Sequence, residues 1–224
     1  MSDEYMAGIR TIVEELVARL GFQATVAVTA DHHLETSYLC SITVAEGQNF
    51  LIGQYGMNLA ALQQAYAQGL TDPVAVTRAH LARIAQRNPA LQAFVHVCED
   101  LALQRAQASA QRWASGQPRG PLDGVVMALK DNIDVAGETT MAGGVVCAGE
   151  APAVHDAPVV QRLRHAGAVV LGKTTMSEFA FSGVGINPHH GTPVNPADAA
   201  HARVPGGSSS GAAVSVALGL AEVG

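Results

Sequence analysis

The chain has 224 residues, of which 48% are hydrophobic and only 14% are charged, and its formal net charge is −6. This composition is typical of a globular protein with a sizeable core and excludes an intrinsically disordered chain. The negative net charge argues against a general electrostatic attraction to nucleic acids or to anionic lipids.

The cysteines, the histidines and the N-terminus indicate which kinds of site and which location in the cell to expect. Cys40, Cys98 and Cys147 have no short spacing, so neither a disulfide framework nor a zinc site is expected. The adjacent histidine pairs at 32–33 and 189–190 do not have the spacing of ligands to one metal ion. There is no signal-peptide pattern, and no apolar run reaches the roughly 18–20 residues of a membrane span. We therefore predict a cytoplasmic protein with no membrane partner and no metal site.

Residues 1–64 form a compositionally distinct first region, with 2 arginines against 7 acidic residues. Apolar residues recur at three- and four-residue steps from Ile9 to Leu20, which predicts a helix that ends at Gly21. The alternating stretches FQATVAVTA and YLCSITVAE predict two strands. A glycine-bounded turn and a second helix follow, so the predicted order is helix, strand, strand, helix.

The second region opens with helices. LAALQQAYAQG is one, and the next is predicted to begin at a cap residue, Thr71 or Asp72, with Pro73 in its first turn. That helix is expected to end just before Pro89. The Ala- and Gln-rich residues 99–115 predict another helix.

Strands and helices alternate after residue 120. GVVMALKDNIDV reads as an apolar strand with a polar turn, PVVQRLRHAG as a helix, and AVVLGKT as a buried strand. This alternation predicts an α/β layer with a mainly parallel sheet. Asp123 could pair with Arg119, although an exposed pair of this kind contributes little stability.

Lys130 stands at the end of the apolar strand VVMAL. Partial desolvation there would lower its pKa toward a value useful for proton transfer. The alternative is an ordinary surface lysine at a strand end. The chain has only two lysines, Lys130 and Lys173, and this rarity favours a specific role.

The stretch PGGSSSGAAVSVALGL places three serines between glycines. Gly206 and Gly207 permit a tight turn, and the amides near the serines could bind an anionic oxygen. A phosphate loop is disfavoured because no lysine follows, and a flexible linker is disfavoured because the stretch runs into an apolar helix or strand. A catalytic serine loop fits better, since a lysine acting through a second serine can replace histidine as the base.

Three motifs in one order, GVVMALKDNIDVAG, GKTTMSEFAFSGVG and PGGSSSGAAVSVALG, resemble the signature motifs of the amidase signature family. The resemblance extends from about residue 58 to residue 224. It implies an α/β/α layered domain that hydrolyses a carboxamide to an acid and ammonia or an amine. In that family the chemistry uses a Ser–cisSer–Lys triad, so the resemblance implies neither a metal nor an organic cofactor.

By this resemblance, Lys130 matches the catalytic lysine and Ser208 matches the bridging serine, whose peptide bond is cis in the family. Lys130 would accept a proton relayed through Ser208 and later return it to the leaving amine. Met176 would belong to a substrate-side loop, and Asp131 would hold the lysine region by hydrogen bonding. Supporting roles at the substrate and the loop are implied for Asp131, Met176, Gly206, Gly207 and Ser209.

The chain departs from the family pattern at the nucleophile. The family's nucleophilic serine belongs to a GTDTGGS-like segment downstream of the GGSSSG loop, and the 224 residues do not reach it. The same segment supplies amides of the oxyanion hole. We therefore expect the chain by itself to be a non-catalytic part of an amidase.

Residues 9–63 resemble the KH domain of Jag-type RNA-binding proteins. By this resemblance, the GxxG loop that holds a nucleic-acid backbone consists of Gly53, Gln54, Tyr55 and Gly56. The loop has no lysine or arginine and the region is acidic, so a folded remnant without RNA binding is an equal alternative. LAALQ at residues 59–63 suits both families, which suggests a chimera joined through one helix at about residues 57–68.

Together these patterns predict a two-part α/β chain. A small KH-like α+β module occupies residues 1–64, and the N-terminal part of an amidase-signature α/β/α domain occupies residues 65–224. The expected partner is a small-molecule amide where the site is complete, with RNA binding or an inactive chimera as alternatives. An exposed sheet edge could also pair copies of the chain into a homo-oligomer.

Overall fold

The computed structural model describes residues 24–30, 38–44, 55–198 and 200–224. The chain divides into two compact units, Met1–Met57 and Asn58–Gly224. The predicted helix at residues 9–20 lies outside the described residues. No helix in the part of the chain that the structure describes combines the length and the apolar character that a membrane crossing requires.

The two strands predicted in the first region are confirmed. β1 (Ala24–Ala30) and β2 (Tyr38–Val44) form an antiparallel pair. Their register runs from Ala24 opposite Val44 to Ala30 opposite Tyr38 without interruption. The alternation of apolar and polar residues in both segments suits such a two-stranded ladder.

The helix expected at about residues 57–68 is present as α1 (Tyr55–Ala67). It contains the string LAALQ that suits both family patterns. The idea that the chain is a chimera joined at this string stays a prediction.

α2 (Pro73–Leu91) begins where the sequence indicated. Asp72 is the N-cap, and its side chain accepts hydrogen bonds from the amides of Val74 and Ala75 at 2.7 and 2.9 Å. Pro73 in the first helical position loses no intrahelical hydrogen bond there.

The end of α2 was predicted wrongly, because the helix continues through Pro89 to Leu91. Gln92 then adopts a left-handed conformation and its amide donates to the carbonyl of Asn88. The side chain of Asn88 also bonds both the amide and the carbonyl of Phe94, at 2.8 and 2.9 Å. These contacts stabilise a final turn that Pro89 alone would not favour.

The second unit contains a three-stranded sheet in the order β3–β5–β4, formed by β3 (Phe94–Val97), β4 (Val126–Lys130) and β5 (Val169–Thr174). β4 and β5 are parallel, but β3 is antiparallel to β5. The sheet is therefore mixed, which corrects the expectation of a mainly parallel one. β3 was not predicted, because four residues between two helices are too few to show a strand period.

The remaining helices are α3 (Glu99–Ala114), α4 (Pro158–His165) and α5 (Ser210–Ala217), with 3₁₀ turns at Val146–Gly149 and Glu178–Ala180. Both faces of the sheet are covered by apolar clusters. One cluster joins residues of α2, α3 and α5 to the sheet, and the other includes Val160 of α4. The helices thus lie on both sides of the sheet, as the family resemblance implied.

The free side of β4 is partly occupied by residues close to position 224. The amide of Ala128 donates to the carbonyl of Val223 at 2.8 Å, and the amide of Glu222 donates to the carbonyl of Val126 at 3.1 Å. These two hydrogen bonds satisfy backbone groups that an unpaired edge would expose. Association of copies through a sheet edge stays a prediction.

Asp123 is a buried carboxylate that joins α3 to the segment before β4. It accepts hydrogen bonds from Ser109 Oγ at 2.7 Å, from Arg112 at 2.6 and 2.8 Å, and from the amide of Arg119 at 2.8 Å. Its charge partner is therefore Arg112, and Arg119 contributes only a backbone amide. Burial raises the pKa of Asp123, but hydrogen bonds from Arg112, Arg119 and Ser109 outweigh this and lower it below its ordinary value of 3.8.

Replacement of Asp123 by asparagine is expected to lower the free energy of unfolding at pH 7 by about 2–4 kcal/mol, because the buried Arg112 pair is broken. The folded carboxyl has a depressed pKa, so its stabilising contribution is present above pH 3.8 and is lost as the pH falls through the folded pKa. Urea unfolding of both proteins between pH 7 and pH 3 measures this. The difference in unfolding free energy between the unaltered protein and Asp123→Asn should shrink on acidification. The control Asp134→Asn changes an exposed side chain and should alter the unfolding free energy little at any of these pH values. A difference in unfolding free energy that stays constant with pH would contradict the lowered pKa of Asp123.

Candidate active site

Lys130 and Ser208 meet although 78 positions separate them in the sequence. Lys130 is the last residue of β4, and its Nζ donates a hydrogen bond of 2.5 Å to Ser208 Oγ. Lys130 lies opposite Thr174, the last residue of the parallel strand β5. The pair therefore lies at the carboxyl ends of two adjacent parallel strands, where open α/β sheets commonly place their sites.

The glycines before Ser208 allow a close backbone approach. Gly206 has a φ of +82°, and the peptide bond between Gly207 and Ser208 is cis. A Cβ on Gly207 would lie 2.6 Å from the amide nitrogen of Gly185 and 2.7 Å from its Cα, so no side chain fits there. The amide of Gly207 also donates to the carbonyl of Gly183 at 2.8 Å. The serine loop thus packs directly on the glycine-rich end of the GKTTMSEFAFSGVG motif.

The residues that follow β5 hold the start of α5 in place. The carbonyl of Thr175 accepts from the amide of Gly211 at 2.8 Å and from Ser210 Oγ at 3.3 Å. The amide of Ser177 donates to the carbonyl of Ser208 at 3.0 Å. Ser210 is therefore buried and engaged, whereas Ser209 is exposed at the position just before the helix. Of the three consecutive serines, only Ser208 contacts Lys130.

Asp131, which the family resemblance assigns to holding the lysine region by hydrogen bonding, bonds the loop after β4 and the second lysine. Its Oδ1 lies 3.4 Å from the Nζ of Lys173, and its Oδ2 accepts from the amide of Gly143 at 3.0 Å. Both charged side chains are almost fully buried, with exposures of 1–2%. Asp131 therefore links Lys173 to the loop that follows β4, and its role toward Lys130 stays a prediction.

Met176 is completely buried and offers no surface to a ligand in this structure. Its carbonyl accepts from the side-chain amide of Asn187 at 2.7 Å, and the same nitrogen donates to the carbonyl of Gly143 at 2.7 Å. Asn187 thereby ties the loop after β4 to the segment after β5. The sequence reasoning missed Asn187, whose only visible signal was its place before Pro188 in a polar turn.

The electrostatics distinguish the two lysines. Burial lowers the pKa of Lys130 below its ordinary value of 10.5. Among the described residues, a carboxylate forms an ion pair with Lys173 but none does so with Lys130. A lowered pKa raises the fraction of neutral amine at any given pH, and a neutral amine next to Ser208 Oγ can accept its proton.

The residues of the proposed GxxG loop are only partly described. Gly53 and Gln54 lie outside the described residues, and Tyr55 and Gly56 form the beginning of α1. The KH-like character and the RNA binding of the first region stay predictions.

Comparison with known proteins decides the family of the second unit. The model of the amidase family matches residues 75–224, which is more than half of the chain. The chain belongs to the amidase family. The resemblance read from the three motifs is confirmed over these residues.

Relatives and solved structures agree with this assignment. The chain is 48% identical over 142 residues to a glutamyl-tRNA(Gln) amidotransferase subunit of Acidothermus cellulolyticus, and the match covers 63% of this chain and 28% of the relative. It is 42% identical over 163 residues to the corresponding protein of Chloroflexus aurantiacus, covering 73% and 33%. The structure of native peptide amidase from Stenotrophomonas maltophilia matches with a TM-score of 0.65 and 42% identity, covering 73% and 34%. The chain spans about a third of the length of these amidase-family proteins.

We expect the buried Asp131–Lys173 pair to stabilise the amidase-family unit. Asp131→Asn should cost about 3–5 kcal/mol of unfolding free energy, because it leaves a buried ammonium without a counter-charge. Lys173→Met should cost a similar amount, and the double variant should regain most of the loss. Urea unfolding of the four proteins gives the coupling energy. Additive losses would show that the two side chains do not interact.

The amine of Lys130 should titrate below the ordinary lysine value of 10.5, because folding removes it from water. Competitive acetylation over a range of pH values, read by peptide mass spectrometry, measures its midpoint. The buried Lys173 should react slowly, which leaves Lys130 as the reactive lysine. In urea the midpoint should return to 10.5, since the cause is burial. A folded-state midpoint at or above that value would refute the desolvation of Lys130.

Proposed function

We propose that this amidase-family chain carries the proton-transfer part of an amide-hydrolysing site, with Lys130 as general base and acid and Ser208 as relay. The observation that carries the proposal is the 2.5 Å hydrogen bond between Lys130 Nζ and Ser208 Oγ. The lowered pKa of Lys130 supports it, because a base must be able to lose its own proton near the working pH.

The relay moves one proton in each direction. In acylation, Ser208 Oγ takes the proton of the attacking hydroxyl while its own proton passes to neutral Lys130. The attack forms an acyl–oxygen bond, and collapse of the tetrahedral intermediate breaks the C–N bond. Lys130 returns the proton through Ser208 to the leaving nitrogen, which departs as ammonia or an amine. Water then hydrolyses the acyl group by the same relay.

The attacking hydroxyl in this proposal is the serine of the GTDTGGS-like segment that the family resemblance implies. That segment is not among the 224 residues. The backbone hydrogen bonds that the loop forms with Ser177 and Gly183 hold the relay hydroxyl against Lys130. The hydrolytic step needs only side-chain proton transfer, so the proposal includes no metal and no organic cofactor.

A carboxamide is the proposed substrate class. The relatives are named as a subunit of a glutamyl-tRNA(Gln) amidotransferase and as a peptide amidase. Glutamine and a peptide with a C-terminal amide are therefore the two substrates to test first. The whole-protein activity of those relatives is carried over to this chain only as part of this proposal.

Ammonia release from glutamine and from a peptide amide tests the proposal. The assay uses the 224-residue chain and, in parallel, the product of the complete reading frame that contains it. In a form that is active, Lys130→Ala and Ser208→Ala should each lower kcat/KM by about 10²- to 10⁴-fold, which is the usual contribution of general acid–base catalysis.

Ser115→Ala is the matched control, because it removes an exposed serine hydroxyl at the end of α3. It should leave kcat/KM unchanged. Full activity in Lys130→Ala, or no hydrolysis of any carboxamide by either form of the protein, would overturn the proposed function.

A further inference from the structure

Three potential metal ligands that are not part of the Lys130–Ser208 pair meet beside β3, an edge strand of the sheet. They are His96 and Cys98, in and just after β3, and Glu138, in the loop after β4. One donor atom from each side chain lies within 4.8 Å of the other two. The Nε2 of His96 is 2.8 Å from Oε2 of Glu138.

Backbone hydrogen bonds and strand geometry fix the segments that carry the three ligands. His96 and Cys98 are two positions apart in an extended segment, so their side chains point to the same side. The amide of Cys98 donates to the carbonyl of Leu171 in β5 at 2.8 Å. Glu138 is held by its amide, which donates to Val135, and by its carbonyl, which accepts from Ala153, both at 2.9 Å. The cluster is therefore assembled by the sheet and its adjoining loop.

The three side chains of the cluster differ in their exposure to solvent. Cys98 is 4% exposed, the side chain of Glu138 is 23% exposed, and that of His96 is 52% exposed. The sulfur thus lies at the base and the imidazole lies at the mouth. An ion bound by the three would remain accessible from the solvent side, which leaves a position for a water molecule.

The nearby positive charges already have partners. Burial and the nearby Glu138 carboxylate raise the pKa of the Cys98 thiol to about 12, and Lys173 and Arg164 act in the opposite direction. Lys173 is paired with Asp131 at 3.4 Å, and Arg164 is paired with Asp156. Both positive groups are thus paired with other carboxylates, and a metal ion that binds Cys98 would displace the thiol proton.

We propose that His96, Cys98 and Glu138 form a zinc-binding site with water as the fourth ligand. Zinc takes tetrahedral sets of sulfur, nitrogen and oxygen ligands at about 2.0–2.3 Å, which places neighbouring ligand atoms about 3.3–3.6 Å apart. The His96–Glu138 separation would have to widen by less than about 1 Å, which rotation of the exposed imidazole can supply. A thiolate and an imidazole also favour zinc or cobalt over magnesium and calcium.

A bound ion would have a structural consequence. Glu138 belongs to the loop that begins at Asp131, directly after Lys130, whereas His96 and Cys98 belong to the opposite edge of the sheet. Zinc would link this loop to β3. We expect it to raise the thermal unfolding temperature of the chain, because it binds the folded arrangement of ligands and not the unfolded chain.

The test uses the 224-residue chain after treatment with a chelator and removal of the chelator. Calorimetric titration with zinc should show one ion per chain. Titration with cobalt should give a thiolate-to-metal charge-transfer absorption that Cys98→Ser abolishes. His96→Ala and Glu138→Gln should each weaken zinc binding at least about tenfold, since even loss of an outer-shell partner costs that much.

Two variants control for incidental binding by other histidines and thiols. His189 forms a comparable pair with Glu178 at 3.2 Å, and Cys147 is the other described free cysteine. His189→Ala and Cys147→Ser should bind zinc like the unaltered chain. Absence of binding at one ion per chain, or equal losses in the control variants and the cluster variants, would overturn the proposal. The side chain of His96 is half-exposed, so we expect His96→Ala to fold. Its zinc affinity therefore tests the proposed site even where Cys98→Ser fails to fold.

Discussion

The ion pair between the buried carboxylate of Asp131 and Lys173 is the interaction on which the candidate site depends. An unpaired carboxylate in the interior would cost several kcal/mol, so it must be paired and hydrogen-bonded. Lys173 and the amide of Gly143 satisfy it, at 3.4 and 3.0 Å. Among the described residues no carboxylate forms an ion pair with Lys130, and burial lowers its pKa. The pairing of Asp131 with Lys173 thus leaves Lys130 without a described counter-charge.

Close backbone packing places Ser208 next to Lys130. Parallel β4 and β5 end side by side, and the residues after β5 bond both the carbonyl of Ser208 and the first turn of α5. Glycines at 185 and 207 approach so closely that a Cβ at either would meet backbone atoms. This packing leaves the hydroxyl of Ser208 facing Lys130. The glycines in the two motifs therefore position Ser208 against Lys130.

Prediction from sequence succeeded where a pattern is long or a motif is distinctive. Local residues and the family resemblance were enough to predict a helix cap at Thr71 or Asp72, which the structure places at Asp72. They also predicted the strands that end at Lys130 and Thr174, and the serine loop. β3 escaped because it has only four residues, and α2 passes Pro89 because contacts of Asn88 and Gln92 support its last turn. Asn187 and the cluster of His96, Cys98 and Glu138 could not be found, since their partners are distant in the sequence.

The sequence by itself determined the family, the identity of Lys130 and Ser208 as a candidate pair, and most of the helices and strands, because these rest on local periodicity and motifs. Only the tertiary structure decided that Asp131 pairs with Lys173 and that no described carboxylate pairs with Lys130. Neighbouring residues at a strand end point to opposite faces of a sheet, and the groups they meet come from distant segments. Lys130 therefore meets Ser208 on one face, while Asp131 meets Lys173 on the other. That choice depends on packing, which no local pattern encodes.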